Sequence, residues 1–138
     1  MERIYLGSHV QALSIVERDE LKQFFWAQHK YSIMARDQNL YHDIGKKIVN
    51  IKQFDSYEDL IQKITFSLNT APSEGGIRNA IQHMWGYISK FYHSENKDLK
   101  INELPSSILL SIIQEYSYRF KIEYLLHSTA LSELMAWI

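Results

Sequence analysis

Between Asn79 and Tyr92 the sequence sets an amide, an imidazole, a phenol and an ammonium group on one side of a predicted helix. At about 100° per residue, Asn79, His83, Gly86, Tyr87 and Lys90 fall within roughly 100° of arc, while Ile77, Ile81, Met84, Ile88 and Phe91 gather on the opposite side. One face is therefore apolar, and the other carries groups able to hold a polar or anionic ligand. His83 with Tyr87 could in principle also move a proton. Glycine inside a helix costs about 1 kcal/mol relative to alanine. Gly86 among polar groups thus points to close approach by a backbone, either of a neighbouring helix or of a ligand. The plainer alternative is that Gly86 only admits another helix, and that Asn79 and His83 are satisfied polar groups beside a core.

A second stripe lies further upstream. Arg18, Lys22, His29 and Arg36 share a face opposite Leu21, Phe24 and Tyr31, with Trp26 and Ile33 among them and Lys30 at the edge. Cations beside an aromatic ring suit single-stranded nucleic acid, charge answering phosphate and a ring stacking on a base. A solvated face whose Trp26 packs against another element is the competing reading.

Catalytic and metal chemistry find little support. The histidines His9, His29, His42, His83, His93 and His127 include no pair spaced to grip a metal from one helix. With no cysteine present, a disulfide framework, a thiolate zinc site, an iron–sulfur cluster held by this chain and a cysteine nucleophile are excluded. Asp19-Glu20 and Glu58-Asp59 sit at helix starts, where the helix dipole accounts for them. Ser73-Glu74-Gly75-Gly76 lacks the lysine and the spacing of a phosphate loop, and no nucleophile-elbow pattern occurs. No metal and no cofactor is expected, and His83 is the one remaining acid–base candidate.

These residues need elements to hold them. The 138 residues suit a single domain over 1–138. With 46% hydrophobic residues, only 5 Gly and 2 Pro, the composition predicts an all-α fold, a compact bundle of about five to six helices, in place of a turn-rich β-sandwich. Helical spacing runs from Arg18 to Arg36, then through Leu40, Ile44, Ile48 and Ile51. Ser56 with Asp59 reads as a capping box opening a third helix with a buried stripe of Leu60, Ile61, Ile64 and Leu68. Residues 69–76 form a loop. The two-faced helix follows, then a polar connection from Ser94 to Glu103. Pro105 is placed to open a helix continuing toward His127. Leu131, Leu134, Trp137 and Ile138 make an oily tail, expected to pack on the body or on a second copy. No signal sequence and no membrane-length apolar run is present, so the cytoplasm is the expected location. The net charge of −1 argues against coating of nucleic acid by overall charge, leaving room for a local basic face.

The stretch Gln28-His29-Lys30-Tyr31-Ser32-Ile33-Met34-Ala35-Arg36, with Tyr41 and Gly45, resembles the first signature of the YbgA-like family of bacterial proteins. Asn79-Ala80-Ile81-Gln82-His83-Met84-Trp85-Gly86-Tyr87-Ile88-Ser89-Lys90 resembles the second, with Asn79, His83, Gly86 and Tyr87 all in place. Together they cover roughly residues 15–134. The family is all-helical, and in many members a similar domain follows a cysteine-rich iron–sulfur desulfidase that removes sulfur from thiolated uracil. The resemblance implies a module that helps hold RNA, with tRNA as the expected ligand and a separate desulfidase-type protein as a candidate partner. Trp26 and Arg36 stand where the family carries histidines, the basic residue before the Asn is replaced by Arg78 at best, and the later Tyr-basic-x-Gly-x-Pro-Leu segment is not recognisable. Those exchanges keep a cationic, aromatic face while removing histidines, which favours holding over catalysis.

Three functions therefore stand as expectations. The first is a non-catalytic RNA-binding module using Lys30, Arg36, Arg78 and Lys90 on phosphates and Asn79, His83, Tyr87, His29 and Trp26 nearer a base. The second is a protein–protein or oligomerisation module acting through the tail and Trp26. The third is an enzyme using His83 as proton carrier.

Overall fold

The computed structural model describes the backbone of residues 15–49, 57–95 and 101–138, and the side chains of 22–48, 58–95 and 101–138. Among the described residues the fold is all-helical, without strands. The elements are α1 (Ile15–Met34), α2 (Gln38–Val49), α3 (Tyr57–Leu68), α4 (Glu74–Trp85), α5 (Ser89–Glu95), a 3-10 turn at Ile101–Glu103, α6 (Ser106–Arg119), α7 (Glu123–Leu126) and α8 (Ala130–Met135). No helix among the described residues is long and apolar enough to cross a membrane. The Ser56 half of the expected capping box, the Arg18 side chain, Ile51 and residues 96–100 of the expected polar connection lie outside the described residues.

More helices occur than the five to six expected because two predicted helices divide. The helix expected over 79–92 begins earlier, at Glu74, where Ser73 Oγ accepts from the Gly76 N–H. It breaks at Gly86, and a tightened turn, with Tyr87 N–H to Met84 O and Ile88 N–H to Trp85 O, leads into α5. The helix expected to reach His127 stops at Arg119. Lys121 takes the left-handed conformation (φ 52°), with its N–H on Tyr118 O and the Ile122 N–H on Ser117 O. That is the Schellman arrangement, which glycine usually supplies. It turns the chain back so that α7 and α8 pack on the body.

Two apolar clusters share α1. Phe25, Trp26 and Ile33 meet Ile44 of α2 and Leu60 and Ile64 of α3. Tyr31, Met34 and Ala35 join Ile81 and Met84 of α4, Leu110 and Ile113 of α6, and Leu131 and Leu134 of α8. A helix covered from both sides keeps little solvated surface, here chiefly Gln23 and Phe24. The oily tail is thus used on the chain's own body, where Leu131 and Leu134 are buried while Trp137 and Ile138 stay exposed.

The approach of α4 to α1 is set by a glycine other than the one singled out in the sequence. A Cβ at Gly76 would collide with the backbone carbonyl of Ala35, whereas one at Gly86 would meet only His83 O at 3.5 Å, an ordinary contact. Backbone cannot swing aside as a side chain can. Gly76→Ala is therefore expected to destabilise the fold by at least the roughly 1–3 kcal/mol typical of overpacking, and Gly86→Ala to be neutral or mildly stabilising. Urea denaturation of the two variants beside the parent checks this, and equal midpoints would contradict it.

Candidate functional site

The α1–α2–α4 junction opens a cleft of about 640 Å³ lined by Trp26, Gln38, Tyr41, His42, Gly45, Lys46 and His83. Trp26 and Tyr41 form its aromatic floor, ring centroids 5.7 Å apart and tilted by 37°. Tyr41 meets the His42 ring edge-on at 5.4 Å. Along one rim Asn79 Nδ2 donates to Gln38 Oε1 (2.9 Å), and Gln38 Nε2 lies 3.1 Å from His42 Nε2. With the Gln38 amide donating, His42 accepts at Nε2 and carries its proton on Nδ1. His83 is exposed, and no hydrogen bond, ion pair or ring contact ties it to another described residue. The lining residues hold one lysine, two histidines and no carboxylate. Gly45 lies inside α2 with open space where a Cβ would stand.

Beside the cleft is a cluster of phenols. Tyr87 stacks on Tyr124 of α7 at 5.1 Å and 21°, and Tyr31 meets Tyr124 edge-on at 6.4 Å. Lys30 Nζ sits 4.6 Å from the Tyr124 ring centre and 5.1 Å from that of Tyr31. Burial foremost, then a hydrogen bond with Tyr87 and the neighbouring phenols of Tyr87, Tyr124 and Tyr41, pushes the Tyr31 hydroxyl far above its ordinary range. It therefore stays protonated and serves as a fixed hydrogen-bonding group. Tyr41 thus links cleft and cluster.

Placed in this frame, the sequence-predicted residues divide. Trp26 and His83 line the cleft, and Asn79 is bonded into its rim. Lys30 and Tyr87 belong to the phenol cluster. Lys90 is exposed on α5, its Nζ 5.3 Å from the Phe91 ring centre and away from the cleft lining. The cationic stripe expected along α1 is not a surface. Lys22, Trp26 and His29 are buried, because α1 lies between two apolar clusters. His29 stands against Phe25 at 4.7 Å, with its Nδ1 3.2 Å from Thr129 Oγ1. Arg78 is engaged with the carbonyls of Leu104 (2.7 Å) and Asn102 (3.4 Å), tying α4 to the segment before α6.

Arg36 is the largest correction. Its side chain is 1% exposed, and each of the five N–H donors of a guanidinium has a partner. Two go to Glu133 (2.7 and 2.6 Å), and the others to the carbonyls of Thr70 (2.7 Å), Ser32 (2.9 Å) and Leu68 (3.4 Å). Its expected place on a phosphate is taken by this internal joint.

Gln38, His42 and Lys46 were not singled out in the sequence, although the signal was present. Gln38, Tyr41, His42, Gly45 and Lys46 follow the i, i+3, i+4, i+7, i+8 spacing of one helix face. Tyr124 had no such signal, since the turn at Lys121 delivers it.

The chain is thus an all-helical domain with an open, carboxylate-free aromatic cleft at the junction of α1, α2 and α4. It belongs to the family described as a protein of unknown function (DUF1722), which matches residues 30–134. No curated protein and no solved structure matches it. The matched span contains every cleft-lining residue except Trp26, together with Tyr124 and Glu133. Among the described residues no group of three or more His, Cys, Asp or Glu is arranged to hold a metal ion.

Burial alone would raise the Glu133 carboxyl, but hydrogen bonds, from Arg36 foremost, and the guanidinium charge hold it below the ordinary range. A depressed carboxyl stabilises the fold above its unfolded value of about 4.3, and that stabilisation is lost as pH falls through the folded value. Glu133→Ala is expected to cost toward the lower end of the roughly 3–5 kcal/mol seen when one partner of a buried pair is removed, since Arg36 keeps its carbonyls. The variant should also lose less stability than the parent on acidification below about pH 4. Denaturant titrations at neutral and acid pH measure both, and parallel pH profiles would contradict the assignment.

Proposed function

We propose that this protein is a non-catalytic RNA-binding module whose α1–α2–α4 cleft holds an unstacked nucleotide of a tRNA or other RNA. The observation that carries this reading is convergence: Tyr41 and Gly45 from one signature-like stretch, and Asn79 and His83 from the other, face one cleft with an aromatic floor. A base stacks on Tyr41, which the buried Trp26 backs, amides and imidazoles at the rim meet its edge, and Lys46 and His83 approach a phosphate. Gly45 supports the same reading. It weakens α2 by about 1 kcal/mol without admitting any neighbour, and what it leaves is room above the cleft floor.

The resemblance to the YbgA-like family names the expected setting, an RNA presented to a desulfidase-type partner. This chain has no cysteine, so sulfur chemistry on a bound nucleotide would belong to that partner. Enzymatic use of His83 gains no support from its surroundings, where no described residue is hydrogen-bonded to the imidazole to orient it. Docking through the tail is disfavoured because Leu131 and Leu134 are spent on the body.

Titration with tRNA at two salt concentrations tests the proposal. Affinity should fall as salt rises, and Lys46→Ala should flatten the slope of log affinity against log salt by about 0.7 if it removes one single-strand phosphate contact. Gly45→Leu should fill the cleft and abolish binding while leaving the fold as stable as the parent or more so, since leucine is the better helix former. Absent binding, salt-indifferent binding or full affinity in Gly45→Leu would each refute it.

A further inference from the structure

The phenol cluster has features that packing alone does not call for. Tyr87 is held on one ring face by Tyr124, yet it remains 41% exposed. A ring fixed on one face and otherwise open to water is a preorganised stacking platform, because binding a base there orders little further. Lys30 lies over the rings of Tyr124 and Tyr31, placing a cation in the same cluster. Between this platform and the cleft lies Gly86. Its backbone is right-handed helical (φ −53°, ψ −29°), so no positive φ calls for glycine, and no neighbouring helix occupies the space. What Gly86 does provide is a bare step between His83 and Tyr87, which are one helical turn, about 6 Å, apart.

We infer that the Tyr87–Tyr124 stack beside Lys30 is a second base-stacking subsite, so that the protein takes at least two consecutive nucleotides of single-stranded RNA. One base occupies the cleft, its neighbour stacks on Tyr87, and the connecting phosphate crosses Gly86 toward Lys30. This rests on the reading of the cleft as a nucleotide site. It adds the requirement for an unpaired dinucleotide, because paired bases stacked in an A-form helix cannot lie separately in a cleft and on a ring outside it. A loop, bulge or end is the kind of RNA that fits.

The test compares uridine 5′-monophosphate with its 5′-phosphorylated dinucleotide, by calorimetry, on the parent and on Tyr87→Leu, Tyr87→Trp and Gly86→Leu. The parent should bind the dinucleotide roughly 10-fold more tightly than the mononucleotide, as one added base stack gives. Tyr87→Leu and Gly86→Leu should each erase that gain while leaving mononucleotide affinity unchanged, and Tyr87→Trp should keep it. Gly86→Leu blocks the crossing without replacing a ring, so the test survives if Tyr87→Leu fails to fold. Equal affinity for the two ligands in the parent, or a gain that persists in both leucine variants, would overturn the second subsite and leave the cleft proposal standing. Absence of any binding by mononucleotide and dinucleotide alike would overturn both.

Discussion

The buried guanidinium of Arg36 joins the parts of the fold that are far apart in sequence. It holds the last turn of α1 through Ser32 O, the α3–α4 connection through Leu68 O and Thr70 O, and α8 through Glu133, 97 positions away. A charge removed from water costs several kcal/mol, and its partners repay this only if every donor is matched. Here each is. Glu133 in turn accepts from Trp137 Nε1 at 2.7 Å, and the Trp137 ring lies 5.7 Å from the guanidinium. The lysine ammonium lacks the planar fork this joint requires, and an imidazole has only two ring N–H groups to offer. Arg36, expected from the sequence to meet a phosphate, is therefore an architectural feature of this chain.

With α8 held down, α1 is largely covered, and that cover bears on where a site can form. Thr129 adds a second fastening, its N–H and hydroxyl both donating to Gln28 O at 2.9 and 3.0 Å. The face of α1 toward α8 is closed by these contacts. Around Trp26, α1 meets α2 and α4 at the open cleft, and the close backbone contact of Gly76 with Ala35 sets how α4 leaves α1. The cleft is thus a consequence of helix packing at the opposite end of α4, one reason its residues come from three elements.

The fold class was legible because low glycine and proline content and helical spacing act locally. The split of the long helices was not. At Lys121 the stop is made by a non-glycine residue in the left-handed conformation, and tertiary packing outweighs a local cost of about 1–2 kcal/mol. At Gly86 the break was visible as a glycine, but helical periodicity carried across it and concealed the turn. On α1 the spacing of Arg18, Lys22, His29 and Arg36 matched a solvated stripe because periodicity reports which residues share a face and not what covers that face. The polar face of α2 obeys the same spacing rule, beside an apolar stripe of Leu40, Ile44 and Ile48.

Glycine placement separates architecture from ligand in this molecule. Gly76 is required by a backbone in contact with it, so its cost in helix stability is offset within the fold. Gly45 weakens α2 with no neighbour to offset the loss, and Gly86, at the C-cap of α4, has neither a neighbour nor a positive φ that calls for glycine. Glycines without an internal cause are local inconsistencies of the kind that mark functional positions. One borders the aromatic floor and the other separates His83 from Tyr87. A ligand that approaches both accounts for the pair with one cause, and its charge is constrained by the absence of carboxylates from the cleft lining. In the proposed RNA reading, aromatic floor, cationic rim and bare crossing form one extended track for a flat base joined to a phosphate.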